Sequence, residues 1–275
     1  MPKADVYVPD GRGERRKKRF IFVIVMVIVT AYLSVLAAGW LILRNPVFRI
    51  QNVEVVGNID VSGERIKGVV LSRIVRGSFW RALIGINNVL IWPERLSAED
   101  LVFLPEVKSV ELEKDYASRS VLINVDERKP RGIWCLASPP VGDNCWWFDD
   151  AGVLFRRAIF AEGSLITVVV DYSQENFGLG YKILPEEFID NAFSVFDVVR
   201  SSGLRIKEVR LNDLELEEVE VLTFDGPRVL FSLRFPSVNA LEVIQKLFSA
   251  KGGSAPGGKD LDYLDFRVEN RVYYK

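Results

Sequence analysis

The sequence predicts an α+β protein with a single N-terminal transmembrane helix followed by two folded domains. Three observations carry this: an uncharged apolar run from Phe20 to Leu43, a strand, helix, helix, strand, strand order over residues 46–128, and a series of β-type runs with two amphipathic helices over residues 129–275. The composition, 49% hydrophobic with 27% charged residues, is that of a folded chain, and the first run accounts for the apolar excess.

Residues 20–43 contain only Thr30, Tyr32 and Ser34 as polar interruptions. At about 1.5 Å per residue the helix is roughly 36 Å long, enough to cross a hydrocarbon core of about 30 Å with some tilt. Arg15, Arg16, Lys17, Lys18 and Arg19 stand directly before it, whereas Arg44 is the first charge after it. The positive-inside rule therefore assigns residues 1–19 to the cytoplasm as a tail and the bulk of the chain to the other side, a single-pass type II arrangement in the plasma (inner) membrane. Residues 1–14 include Pro2, Pro9, Gly11 and Gly13 and too little apolar content to order themselves. A cleaved signal peptide is the competing reading, since Ala37, Ala38 and Gly39 are small, but a signal's apolar region spans only about 7–15 residues. A buried helix of a soluble core is the third, and so long an apolar run behind a basic block counts against it.

Residues 1–19 carry a net +4 and the remainder −5, so the outer part lacks the basic patch that nucleic acid requires. The basic block can attract anionic headgroups, at about 1 kcal/mol per residue, which helps to hold topology.

In the first outer domain, Phe48 to Asn58 reads as a strand ending in a Gly57-Asn58 turn, with Val53 and Val55 on one face. Ser62 opens a helix in which Ile66, Val69, Val70 and Ile74 form a stripe. Ser97 to Asp100 opens a second, short helix through Leu104, closed by Pro105. Strands follow at Val107 to Glu113 and Ser120 to Glu127, joined by a turn at Asp115 to Arg119. A three-stranded sheet with two helices on one face would bury their Val and Ile positions.

The second domain opens with WCLASPPVGDNCWW, in which turn formers separate Cys135 from Cys145 and set them facing one another at the base of a long loop. Outside the cytoplasm they can form a disulfide; two half-buried thiols beside Trp134 and Trp146 are the alternative. Trp147 to Phe155 is a hairpin about Asp149-Asp150-Ala151-Gly152, and Leu165 to Val170 is a continuous β-type run. Glu186 to Ser202 reads as a helix with Phe188, Ala192, Val195, Phe196 and Val199 on one stripe and Gly203 as its stop. Strands are expected at Arg205 to Leu211, Val219 to Phe224 and Arg228 to Phe235, the last two joined by Asp225-Gly226-Pro227. A helix over Val238 to Phe248 directs Leu241, Ile244 and Leu247 inward. KGGSAPGGK at 251–259 is a linker-like loop, after which Leu261 to Val268 and Val272 to Lys275 give a strand and a short terminal strand.

Several of these segments together resemble the FtsQ/DivIB family of bacterial cell division proteins: the basic tail and single span, the Phe48 to Asn58 strand, LPEVKSVELEKDY at Leu104 to Tyr116, LINVDERKPRGIW at Leu122 to Trp134, the Asp-x-x-Gly hairpin and the ending LDFRV. The chain departs from the family pattern at Glu106, at Asp115-Tyr116-Ala117 and at Phe266. The resemblance covers roughly residues 46–275 together with the anchor, and lies in the order and distances of the segments. It implies a POTRA domain over 46–128, a module for protein contacts, and an FtsQ/DivIB-type mixed antiparallel β domain with two helices over 129–275.

Absence of histidine from the whole chain removes His-based general acid–base chemistry, His-dependent triads and His-containing zinc sites. Two thiolates supply only half a tetrahedral metal shell, so no metal or cofactor is expected. Each acidic pair has a structural explanation: Asp149 and Asp150 in a turn, Glu186 and Glu187 at a helix start, Glu217 and Glu218 before a strand. Arg156, Arg157 and Arg228 are isolated cations of the kind that surfaces carry. No nucleophile elbow or phosphate loop is present.

Binding is therefore expected instead of catalysis. A terminal strand leaves an edge whose backbone can pair with an incoming peptide. The resemblance implies that this edge receives FtsB/DivIC-like and, through them, FtsL-like division proteins, with Tyr263, Phe266, Val268, Asn270, Val272 and Tyr274 as contacts. Phe266 and Val268 can equally pack the sheet. It also implies a place at the division septum, coupled to septal peptidoglycan synthesis. The alternative function is a membrane-anchored enzyme or binding protein acting on cell-wall polymer outside the cytoplasm.

Overall fold

The computed structural model describes residues 12–43, 45–76, 85–137, 144–160, 166–174, 176, 178–224, 226–250 and 261–275. The tail before residue 12, the turn formers at 139–143, Asp225 and the 251–259 loop lie outside the described residues. The described chain is a mixed α and β structure that groups into two compact units. One holds the residues up to Val55, Val70–Glu94 and Leu112–Ile123; the other holds Val56–Val69, Arg95–Glu111 and Asn124–Lys275.

Helix α1 is Arg12–Leu43. It begins within the stretch assigned to the tail: Glu14 to Arg19 are good helix formers that continue the apolar run, and the helix takes in Gly13 as well. Its part Lys17–Leu43 is long and apolar enough to cross a membrane. The Thr30 hydroxyl donates back to the Met26 and Val27 carbonyls, and Ser34 to the Thr30 carbonyl, so neither needs water.

Strand β1 (Asn52–Val56), α2 (Gly63–Arg76), the single turn α3 (Ala98–Leu101), β2 (Val107–Asp115) and β3 (Ser120–Glu127) follow in that order. The three strands form a sheet ordered β1-β3-β2. Ile66, Val70 and Ile74 are fully buried at the expected helical spacing, as are Val110, Val121 and Ile123 at the expected alternation. Strand β1 begins later than its apolar pattern suggests, because Pro46–Phe48 turn as a 3-10 helix. The second helix ends at Leu101 and not at Leu104; its start is held by the Asp100 carboxylate, which accepts the Ser97 backbone N–H.

Two positions after β1 explain the local sequence. Gly57 has φ +84, and a Cβ there would stand 2.2 Å from the Val125 carbonyl oxygen, so only glycine lets the turn meet β3. Beyond it, the Glu127 carboxylate accepts the backbone N–H groups of Ile59, Asp60 and Val61, each at 2.9 Å. One side chain thus fixes three otherwise unpaired donors of the turn.

Among the described residues nine strands form the second sheet, in the order β12-β11-β10-β9-β8-β7-β4-β5-β6. They are β4 (Gly132–Leu136), β5 (Cys145–Phe148), β6 (Leu154–Ala158), β7 (Thr167–Asp171), β8 (Ile206–Leu211), β9 (Glu218–Thr223), β10 (Arg228–Ser232), β11 (Tyr263–Phe266) and β12 (Tyr273–Tyr274). Helix α4 is Glu186–Ser201 and α5 is Ala240–Ala250. The sheet is mixed and mainly antiparallel: five of its eight strand pairings are antiparallel, while β4 with β7, β7 with β8 and β10 with β11 are parallel. Two of the parallel pairings follow from the connections. α4 joins β7 to β8 and α5 joins β10 to β11, and a helix between neighbouring strands carries the chain back to the starting end of the sheet.

Both helices contribute to one core, in which Ala192, Phe193, Phe196, Ala240 and Ile244 meet Trp134, Phe148, Val209, Val221, Phe231 and Leu264. Gly203, at φ +75, ends α4 as expected. Strand β4, which the sequence pattern did not separate from the loop before Cys145, lies inside the sheet and is buried at every residue. At the end of β7, Asp171 is fully buried and accepts from the Trp134 indole N–H, the Ser173 N–H and the Ser173 hydroxyl. Loss of water raises its pKa, against the lowering effect of those donors.

Cys135 and Cys145 are directly paired across β4 and β5 and are joined by a disulfide, with Cα atoms 4.1 Å apart. Ile133 is buried with them, and Trp147, Phe160 and Val168 pack against the cluster. The bridge closes a sequence separation of 10 residues. Loop-closure entropy for so short a span gives about 2–3 kcal/mol. Reduction, or the Cys135→Ala/Cys145→Ala pair, is expected to lower stability by that amount, measured as denaturation midpoints with and without reductant. An unchanged midpoint on reduction would show that the bridge contributes nothing.

Candidate docking edge

Strand β12 is one edge of the nine-stranded sheet and β6 is the other. β12 pairs antiparallel with β11, placing Tyr274 opposite Leu264 and Tyr273 opposite Asp265. The Lys275 N–H donates to the Tyr263 carbonyl and the Lys275 carbonyl accepts the Asp262 N–H, so residue 275 faces inward. Backbone direction alternates along a strand, which turns the N–H and C=O of Tyr274 outward. Between β11 and β12 the Arg271 N–H closes on the Val268 carbonyl at 3.1 Å, and Asn270 takes φ +57, a conformation that Asn tolerates.

An open groove of about 330 Å³ adjoins this edge, between the start of α5 and residues 266–272. Phe235, Pro236, Ala240 and Val243 line one side, and Phe266, Val268, Asn270 and Val272 the other. Among the six residues assigned by resemblance, Phe266, Val268, Asn270 and Val272 therefore come together here. Val268 is 45% exposed and Val272 is half-buried against the core. Phe266 is buried and stacked on Phe231, ring centroids 5.5 Å apart, so it packs the sheet and forms the groove floor. Tyr263 is half-buried in β11 and Tyr274 is 52% exposed at the edge. Sequence reasoning missed Tyr273, Arg271 and the α5 side of the groove. The last is signalled only by Pro236 before a helix whose small Ala240 leaves room beside it.

Arg267 braces the edge. Its guanidinium donates to both Asp265 carboxylate oxygens, at 2.9 and 2.6 Å, and to Glu218 at 2.9 Å. The Arg267 hydrogen bonds hold the Asp265 pKa below its usual value despite partial burial, and the same partners raise that of Arg267. A lowered carboxylate pKa contributes stability above the unfolded pKa of about 4 that is lost as pH falls through the folded value. Asp265→Asn is therefore expected to flatten the acid limb of the stability profile below about pH 4 while leaving its slope near neutrality unchanged. Denaturation midpoints measured across pH 2–7 check this; parallel acid limbs in both proteins would refute it.

Asp149 and the three cations Arg156, Arg157 and Arg228 take part in structural contacts. Asp149 is buried, accepts the Ala151 and Val153 N–H groups through Oδ1 and pairs with Arg128 through Oδ2. Arg156 pairs with Asp60, Arg228 with Glu220, and Arg157 lies over the Trp146 ring. No group of three potential metal ligands occurs among the described residues.

Compared with known proteins, the chain matches no protein-family model, and no curated protein shows significant similarity to it.

Proposed function

We propose that this protein is a non-enzymatic, membrane-anchored scaffold of the FtsQ/DivIB kind, which binds FtsB/DivIC-like and FtsL-like partners outside the cytoplasm and couples them to septal peptidoglycan synthesis. The observation that supports it best is the sheet edge: a two-residue terminal strand with outward backbone groups at Tyr274, next to an apolar groove. An incoming strand would pair with Tyr274 and lay alternate side chains toward Val268 and Val272. In this reading the β1, α2, α3, β2, β3 segment is a POTRA domain, and α1 is an uncleaved anchor with its basic end in the cytoplasm. Anchoring confines the edge to one membrane surface, where its effective concentration for equally tethered partners is high.

The test is co-purification of the full-length chain from its own cells. An FtsB/DivIC-like protein is expected among the bound proteins, and Tyr274→Pro, which removes the outward N–H, is expected to lower its recovery about tenfold, or roughly 1.4 kcal/mol. Unchanged recovery removes the edge from the proposal. A fluorescent fusion should concentrate at the septum, and an even distribution around the membrane removes the division role. A reporter fused after Lys275 should be active only outside the cytoplasm.

A further inference from the structure

A second cavity lies where α1 meets the folded part of its own unit. It is an open cleft of about 400 Å³, bounded by Leu43, Asn45, Arg49, Ile86 and Asn88. The two segments that form it are stitched together. Ile50 N–H donates to the Asn87 carbonyl at 2.8 Å, and Arg49 bridges to Asn88 in antiparallel fashion. Asn88, a buried polar residue, donates through Nδ2 to the Leu43 carbonyl at 2.5 Å and accepts the Leu90 N–H through Oδ1 at 3.0 Å. The Asn45 N–H meets the Ile42 carbonyl at 3.0 Å. Two of the carbonyls that a helix leaves open at its C-terminus are thus already met by protein donors.

Charge and polarity at this place point to one class of ligand. With the last two helix carbonyls paired, the charged side chain on the cavity wall among the described residues is Arg49, which is exposed. Val47, Ile86 and Leu90, on the same two segments, are exposed apolar side chains. Leu43 ends a run too long for the hydrocarbon core alone, so the helix end falls at headgroup depth. There, a cation beside exposed apolar side chains suits a lipid phosphate above and acyl chains below.

We infer that this cavity is a headgroup cradle: Arg49 takes the phosphodiester of a phospholipid in the leaflet where α1 ends, while Val47, Ile86 and Leu90 enter the interface. The inference rests on the anchoring of α1 proposed above.

The test uses the full-length chain in nanodiscs of phosphatidylethanolamine and phosphatidylglycerol. Because Cys135 and Cys145 are bonded, Ile86→Cys and Ile159→Cys each offer one labelling thiol; Ile159 is 88% exposed and lies in the other unit. An environment-sensitive dye at position 86 is expected to be quenched by headgroup-region spin-labelled lipid at least threefold more than one at position 159. Native mass spectrometry is expected to show fewer retained phospholipids on Arg49→Glu than on the unaltered chain. Equal quenching at the two positions, or equal lipid retention, overturns the inference. Flotation with liposomes separates the two levels: a chain that does not float fails as an anchored protein and takes the cradle with it, whereas one that floats with position 86 unquenched loses only the cradle.

Discussion

Arg128→Ala is expected to cost about 3–5 kcal/mol of stability, the range for removing one partner of a buried ion pair. Arg128 Nη1 lies 2.5 Å from an Asp149 oxygen, and the Asp149 side chain has no solvent exposure. Arg128 also donates through Nε to the Pro105 carbonyl at 3.1 Å. Truncation therefore leaves a dry carboxylate and an unpaired carbonyl together. At about 2–4 °C per kcal/mol for a chain of this size, the thermal midpoint should fall by roughly 6–20 °C. Tryptophan fluorescence during heating reports it. A second variant isolates the cause: Arg128→Met combined with Asp149→Asn removes both charges while an amide oxygen can still accept the Ala151 and Val153 N–H groups. This pair is expected to be more stable than Arg128→Ala alone. A double variant that is less stable would show that the arginine matters for its packing and not for the charge it neutralises.

Phe148→Ala should be as damaging, about 3–5 kcal/mol, by the transfer and cavity terms of large-to-small core substitution. Its ring lies 6.1 Å from each of Trp134, Phe193 and Phe196, so it is shared between the sheet and α4. It also fills the space above Gly132, where an added Cβ would come within 2.6 Å of the ring and 2.7 Å of the Thr167 carbonyl. The neighbours cannot close the void, because the backbone of β4 and β7 forms its wall. Phe148→Leu should recover more than half of the loss. If Phe148→Ala shifts the denaturation midpoint by less than 1 kcal/mol equivalent, the aromatic cluster is not the joint between α4 and the sheet.

Much of this was readable from one-dimensional patterns. The Ile66, Val70, Ile74 stripe, the Val121, Ile123, Val125 alternation and the Gly203 stop depend on neighbours three, four or two residues away, which the chain itself supplies. Strand β4 was hidden because it is apolar throughout: a strand covered on both faces does not alternate. Two of the three parallel pairings were present as strand, helix, strand successions, but which strands become neighbours depends on long-range pairing. At the candidate edge, the position of the terminal strand was legible, whereas the inward turn of Phe266 and the outward backbone of Tyr274 follow from register.

The sequence by itself determined that one uncharged helix long enough for a bilayer precedes a mixed α and β region without histidine, since length, charge and composition are properties of the chain alone. Only the tertiary structure decided what the polar groups do. Glu127 and Asp149 are ordinary surface-type residues on paper, and become fixed clasps because folding brings unpaired N–H groups and Arg128 to them. Burial made those partners obligatory, since a dry polar group without one costs more than a single hydrogen bond returns.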